Sequence, residues 1–253
     1  MIKQAKIVSI TSVKGGTGKT INTLNLAGIC SSMNKKVLVI DLDLYSSDIA
    51  LLLNISPKKD LYTMFLDTTN NSFNNIDDYL VKYNDKIDVL CSPKDLRYAS
   101  KINSKLINLL LYKVKGKYDI VLIDMNNALN EINLVTLDQS DYILYVLNNS
   151  PMDIKSAKNM FSILNDMNKN NYKVLLYEAK DLNKKVFTKF DIKSIVEYNI
   201  TYYIPSSFYL KDIDKYIMDG SILTLDSGIQ NKHSKIMKVY EKIIKDIMEG
   251  NHE

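Results

Sequence analysis

Arginine, histidine and cysteine are scarce in this 253-residue chain, and each scarcity removes a class of chemistry. Arg97 is the one arginine, so bidentate guanidinium forks onto guanine or phosphate are nearly excluded. His233 and His252, both near the C-terminus, are the two histidines, which argues against a histidine metal centre or a Ser–His nucleophile pair. The two cysteines, Cys30 and Cys91, lie far apart in apolar surroundings and form no CxxC. An iron–sulfur or zinc site therefore lacks obvious ligands, and each cysteine reads as a small buried hydrophobe. No apolar run reaches the roughly 18 residues of a membrane span, and the first six residues lack the apolar region of a signal peptide. The expected compartment is the cytoplasm.

What remains is an ordinary globular balance. Apolar residues make up 46% and charged residues 25%, enough for a sizeable core. The net charge of +4 is carried almost wholly by lysine, and it permits weak attraction to nucleic acid or anionic lipid without arguing for either. Short apolar runs alternate with longer amphipathic segments from end to end. Residues 7–11, 36–41, 87–91, 118–124, 142–147, 173–177 and 200–204 read as strands. Residues 18–33, 102–114, 130–137, 151–167, 208–218 and 232–248 read as helices. Continuous apolar strands alternating with helices predict a doubly wound α/β fold, a mainly parallel sheet with helices on both faces. The polar stretch 67–78 reads as a loop or short helical insertion, so the reading is one domain over residues 1–253.

The first strand runs into Lys14-Gly15-Gly16-Thr17-Gly18-Lys19-Thr20, and a helix follows. Glycines at these positions let the backbone bend its N–H groups onto phosphate oxygens. The helix start aims its positive dipole end at the same oxygens. Lys19 would neutralise the β- and γ-phosphates, and the Thr20 hydroxyl would coordinate Mg²⁺. The second strand closes in Asp41-Leu42-Asp43, and alternation puts both carboxylates on one face at the sheet's ligand-bearing edge. The strand over 118–123 closes on Asp124, an acid suited to holding Mg²⁺. The cofactors expected are ATP and Mg²⁺.

The added lysine, Lys14, makes the loop resemble the deviant Walker A motif of the ParA/MinD ATPases. The resemblance implies that Lys14 reaches across a dimer interface to the partner's nucleotide, with ATP held between two copies of the chain. It assigns Asp43 to positioning water, Asp41 and Asp124 with Thr20 to the metal shell, and Asp48 to a first switch region. It puts Ile204-Pro205 beside the base. Candidate catalytic residues are thus Lys14, Asp43 and Asp48, and the nucleotide contacts extend from Lys14 through Ile21 and to Pro205.

The chain departs from the family pattern at three places. Ile21 stands where Ser or Thr usually follows the Walker threonine. Met125-Asn126-Asn127 replaces the usual Pro or Gly after the Walker B acid. Tyr177-Glu178-Ala179-Lys180 stands where an Asn-Arg pair commonly holds adenine, so Tyr177 becomes a candidate to stack on the base.

The stretch 41–53, with 124–141, looks like the CpaE/TadZ group of pilus-assembly ATPases. That resemblance implies a slow ATP-driven dimerisation switch that places a pilus or secretion assembly. A DNA-partitioning ATPase of the same fold is the alternative, with Lys184, Lys185, Lys189 and Lys193 as the basic patch. A nucleotide-binding scaffold with little turnover is another. A tyrosine-kinase reading of the 17 tyrosines lacks a C-terminal cluster, since only Tyr240 lies beyond Tyr216. The C-terminal helix has a lysine-rich polar side that permits membrane contact, but its apolar positions read better as a packed closing helix.

Overall fold

The computed structural model describes residues 4–178, 187–208 and 213–250. Its strands are β1 (Lys6–Thr11), β2 (Val37–Leu42), β3 (Leu80–Lys82), β4 (Ile87–Leu90), β5 (Ile120–Met125), β6 (Tyr142–Leu147), β7 (Tyr172–Tyr177) and β8 (Ile200–Ile204). They form one sheet in the order β3-β4-β2-β5-β1-β6-β7-β8. Every pairing is parallel except that of β3 with β4. The helices are α1 (Lys19–Ser32), α2 (Asp48–Leu52), α3 (Leu61–Thr69), α4 (Ser104–Val114), α5 (Glu131–Gln139), α6 (Pro151–Asp166), α7 (Lys189–Val196), α8 (Ile213–Met218), α9 (Ser227–Lys232) and α10 (Ser234–Glu249).

Successive residues of each central strand go to different cores, which is why these strands are apolar without a break. Ile7, Leu38, Ile40, Val121 and Ile123 join one cluster, with residues of α3 to α7. Val8, Ile10, Val37, Val39, Ile120 and Leu122 join the other, with residues of α1, α2 and α8 to α10. The doubly wound expectation is borne out.

Some elements escape the sequence pattern. The short edge strand β3 and the helices α2, α3 and α7 are too brief or too polar to show a clear period. Of the helix expected over 208–218, α8 covers Ile213–Met218, and Phe208 lies in a 3₁₀ turn. Among the described residues no helix is long and apolar enough to cross a membrane.

The C-terminal helix α10 buries Ile236, Met237, Tyr240, Ile243, Ile244 and Ile247. The Tyr240 hydroxyl donates to Asn22 Oδ1 at 2.8 Å and accepts from Asn25 Nδ2 at 3.2 Å, which ties α10 to α1. Its apolar stripe is therefore committed to the core and is not free to enter a bilayer.

Candidate functional site

The loop after β1 is shaped by two glycines in the left-handed region, Gly16 at φ 73° and Gly18 at φ 95°. Residues with a Cβ rarely adopt that conformation. Gly18 also serves as the N-cap of α1, and no side chain caps the first turn. By contrast, Asp60, Asn103, Asn130, Ser150 and Thr188 cap α3, α4, α5, α6 and α7 with their own side chains. At α1 the first backbone N–H groups and the dipole end are left for an anion.

The loop braces itself from below. The Ser12 hydroxyl donates to the Lys14 carbonyl at 2.8 Å and accepts from Thr17 Oγ1 at 2.9 Å. Lys19 Nζ folds over the loop to Ser12 Oγ at 3.2 Å and to the Lys14 carbonyl at 3.4 Å. The ammonium thus lies across the loop, with oxygen partners that phosphate oxygens can replace.

Asp41 and Asp124 are register partners on β2 and β5, and each is 1% exposed. Asp41 is fully engaged: its Oδ1 accepts from the Asp43 N–H at 3.0 Å and its Oδ2 from the Ser92 hydroxyl at 3.0 Å. Both oxygens of Asp124 are buried without a hydrogen-bond partner. Burial raises the Asp124 carboxyl to about 7, against the opposing pull of the neighbouring Thr20 hydroxyl and Lys19 ammonium. Burial and then the charge of Asp124 push Asp41 well above the usual carboxylate range. Asp43 is half-buried and also raised, chiefly by burial, with Lys19 opposing and Asp48 adding to the shift.

An unpartnered buried carboxylate beside a threonine hydroxyl fits a small hard cation that keeps water and phosphate as its other ligands. Thr20 and Asp124 would hold Mg²⁺. No cluster of three or more His, Cys, Asp or Glu side chains suited to a metal occurs among the described residues.

These groups open into one cavity of about 450 Å³. Gly15, Gly16, Gly18, Lys19, Thr20 and Ile21 line it, together with Asp43 and Asp48. The sequence-predicted residues Lys14, Asp41, Thr17, Asp124 and Pro205 are not in its wall. Asp41 and Asp124 stand near the C-terminal ends of β2 and β5. The turn at Pro205 is held by Glu178, whose carboxylate accepts from the Ser206 N–H at 3.1 Å.

The cavity also has walls that sequence reasoning missed: Leu52, Asn127, Asn148, Ile213 and Ile217. The loop carrying Asn127 is fixed by Asn126, whose Oδ1 accepts from the Ala128 N–H at 2.9 Å and from Asn133 Nδ2 at 2.7 Å. Another unforeseen acid, Asp153, is 1% exposed; its Oδ2 accepts from the Asn148 N–H at 2.6 Å. Burial raises Asp153 to about 6, with Lys19 and Lys14 opposing. The helix-start signal Ser150-Pro151-Met152-Asp153 was visible in the sequence, but not its approach to the loop. Of the lysines expected to form a basic patch, Lys189 and Lys193 lie on α7, and Lys184 and Lys185 fall outside the described residues.

Known proteins carry the same architecture. A protein-family profile described as an AAA domain matches residues 5–176. An uncharacterised ATP-binding protein of Methanocaldococcus jannaschii is 30% identical over 95% of each chain. A virulence plasmid ParA family protein of Chlamydia psittaci is 25% identical, covering 90% of this chain and 95% of that one. Among solved structures, the MinC:MinD cell division protein complex of Aquifex aeolicus superposes with a TM-score of 0.78 at 23% identity. That match covers 95% of this chain and 96% of its counterpart.

Proposed function

Because this chain belongs to the ParA/MinD family of P-loop ATPases, we propose that it is an ATP-driven dimerisation switch of the deviant Walker A type. The observation that carries the reading is the split between the loop's two lysines. Lys19 lines the cavity of its own chain, and Lys14 does not. A loop lysine outside its own cavity wall supports a role at a second nucleotide, with two copies enclosing two ATP molecules.

In this reading the N–H groups of Gly15 to Thr20 and the Lys19 ammonium hold the phosphates. Lys14 of each copy adds charge stabilisation at the other copy's γ-phosphate. Bound Mg²⁺ would supply charge neutralisation on the phosphates, held through Thr20 and Asp124. Asp43, in the cavity wall beside Lys19, orients the attacking water, and Asp48 stands at the start of the segment that responds. Asp41 has both oxygens committed, so its part is to fix the backbone before Asp43. Slow turnover is part of this reading, with Asn126 holding the loop after β5 through Asn133.

The output of such a switch is the placement of a cellular assembly. Support for a pilus or secretion cargo is the pattern of residues 41–53 and 124–141 alone. Light scattering on Asp43→Ala tests the switch. A dimer with ATP and a monomer with ADP is the expected result, and a monomer at saturating ATP rejects it.

A second reading, non-specific DNA binding by the dimer, is favoured by one surface feature. Lys235, Lys238 and Lys242 line a shallow groove with Thr201 and Tyr203 beside the edge strand β8. Phosphate contacts by these lysines would make binding fall steeply with salt. Failure of the ATP-loaded protein to shift DNA at low salt rejects this reading.

A further inference from the structure

The segment that follows β2 is fastened at an unusual point. Ser47 occupies the N-cap position of α2, yet its side chain makes no capping hydrogen bond. A serine there usually accepts from an N–H of the first turn. Ser47 also has φ 56°, in the left-handed region that residues with a Cβ seldom adopt. Such a conformation persists where the surroundings hold it. The contacts that hold it come from the loop after β4. The Ser47 hydroxyl donates to the Pro93 carbonyl at 3.1 Å. Ser92 Oγ stands 2.8 Å from Ser47 Oγ and 3.0 Å from Asp41 Oδ2, so its one proton lies between two acceptors. Ser92 is 2% exposed, so water hardly competes for it.

We infer that Ser92 is a positioning residue for hydrolysis: with Ser47 it forms a latch that holds Asp43 and Asp48 where attack by water requires them. The inference rests on the ATPase switch reading above and deepens it. Ser92 does not line the nucleotide cavity, so it acts through Asp41 and Ser47. Asp41 Oδ1 accepts from the Asp43 N–H at 3.0 Å. The Asp43 carbonyl accepts from the N–H groups of Ser46 at 3.1 Å and Ser47 at 3.2 Å. The chain of bonds from Pro93 through Ser47, Ser92 and Asp41 to Asp43 thus fixes both ends of residues 43–48. Asp43 and Asp48, at those two ends, both line the cavity. Sheet order makes the latch possible, because β2 and β4 are parallel neighbours and their C-terminal ends open at the same edge. Without its partners Ser47 is free to leave the left-handed region, and the segment that carries Asp48 shifts with it. None of these bonds involves the phosphate loop, so nucleotide affinity is not expected to depend on the latch.

The test is steady-state hydrolysis of ATP by the full chain with Mg²⁺, beside calorimetric binding of the imido analogue of ATP. Ser92→Ala should lower kcat by about tenfold and leave the analogue's affinity within about threefold, the pattern of a misplaced reacting group. Ser47→Gly should do the same: glycine suits φ 56° better than serine does, so the hydroxyl is all that is lost. The double variant should be no slower than either single one, because both substitutions break one chain of bonds. Amide exchange without nucleotide gives a measure that does not depend on turnover. Peptides spanning residues 43–52 should exchange about tenfold faster in Ser92→Ala, while those of β1 and β5 keep their rates. Full kcat in Ser92→Ala or Ser47→Gly overturns the proposal. So does a uniform quickening of exchange, which would mark Ser92 as a stabiliser of the whole fold, and so does a parallel loss of analogue affinity. Absence of hydrolysis by the unaltered chain would bring down the ATPase reading and the proposal with it, an outcome distinct from equal rates in the variant and unaltered chains.

Discussion

Asp41 and Asp124 stand side by side on β2 and β5, yet Asp41 accepts a hydrogen bond on each oxygen, whereas both buried oxygens of Asp124 lack a geometrically formed one among the described residues. The difference separates two carboxylates that look equivalent at strand ends. Asp124→Asn should cost far more in Mg²⁺-dependent nucleotide affinity than Asp41→Asn does. Titration of a fluorescent ATP analogue with and without Mg²⁺ checks this. Equal losses in both variants would place the metal on both acids.

The same burial makes the nucleotide-free protein sensitive to pH. Asp124 is held at about 7 against a usual 3.8, so the fold keeps its proton more tightly than the unfolded chain does. The stability this confers is fully present below pH 3.8 and is lost as pH rises through about 7. The loss is at most about 4 kcal/mol at 1.36 kcal/mol per unit. Asp124→Asn should therefore raise the melting temperature at pH 8 by several degrees and change it little near pH 4. Asp41 and Asp153 are raised too, so a smaller slope persists in the variant. Melting curves across this range, without nucleotide, decide the point.

The two loop lysines should separate binding from assembly. Lys19→Ala is expected to lose nucleotide affinity by roughly a hundredfold, because a desolvated charge on the phosphates is removed. Lys14→Ala should bind ATP within about threefold of the unaltered chain, since Lys14 does not line the cavity of its own chain. It should nevertheless stay monomeric with ATP. Calorimetry paired with light scattering reads both effects.

Glycine positions in the loop are not equal. Gly18 has φ 95° and the Tyr177 ring close by, whereas a methyl group added at Gly15 would meet nothing within 4 Å, and the backbone there is not left-handed. Gly18→Ala should destabilise the fold by about 1–3 kcal/mol through backbone strain and overpacking. Gly15→Ala should be nearly neutral for stability. Thermal melts of the two variants make the comparison.

Tyr240→Phe removes a hydroxyl that serves both Asn22 and Asn25 in a fully buried setting. Leaving those amides unpaired should cost about 1–3 kcal/mol. Urea unfolding should show a lower midpoint with an unchanged slope.

Much of this protein was legible in one dimension. Gly15, Gly16, Gly18, Lys19 and Thr20 of the loop line one cavity with Asp43 and Asp48, whereas Lys14 and Thr17 do not. The uninterrupted apolar runs of β2, β5 and β6 announced strands buried on both faces. Helix α3 was hidden because its start, capped by Asp60, precedes a polar stretch that reads as loop. Leu52, Ile213 and Ile217 gave no signal at all, because an apolar residue on a short helix looks the same whether it faces a core or a ligand.

The sequence by itself determined the phosphate-binding turn, because φ at Gly16 and Gly18 and an uncapped helix start depend on neighbours a few residues away. Tertiary structure alone decided which acid stays bare. Ser92 reaches Asp41 from 51 residues away, whereas among the described residues the hydroxyl that neighbours Asp124 is that of Thr20 in the phosphate loop. It also decided that Ile21 and Tyr177, distant in the chain, share one wall of the cavity. Local conformation follows from short-range sterics, whereas solvation and hydrogen-bond satisfaction depend on which distant segments the sheet order brings together.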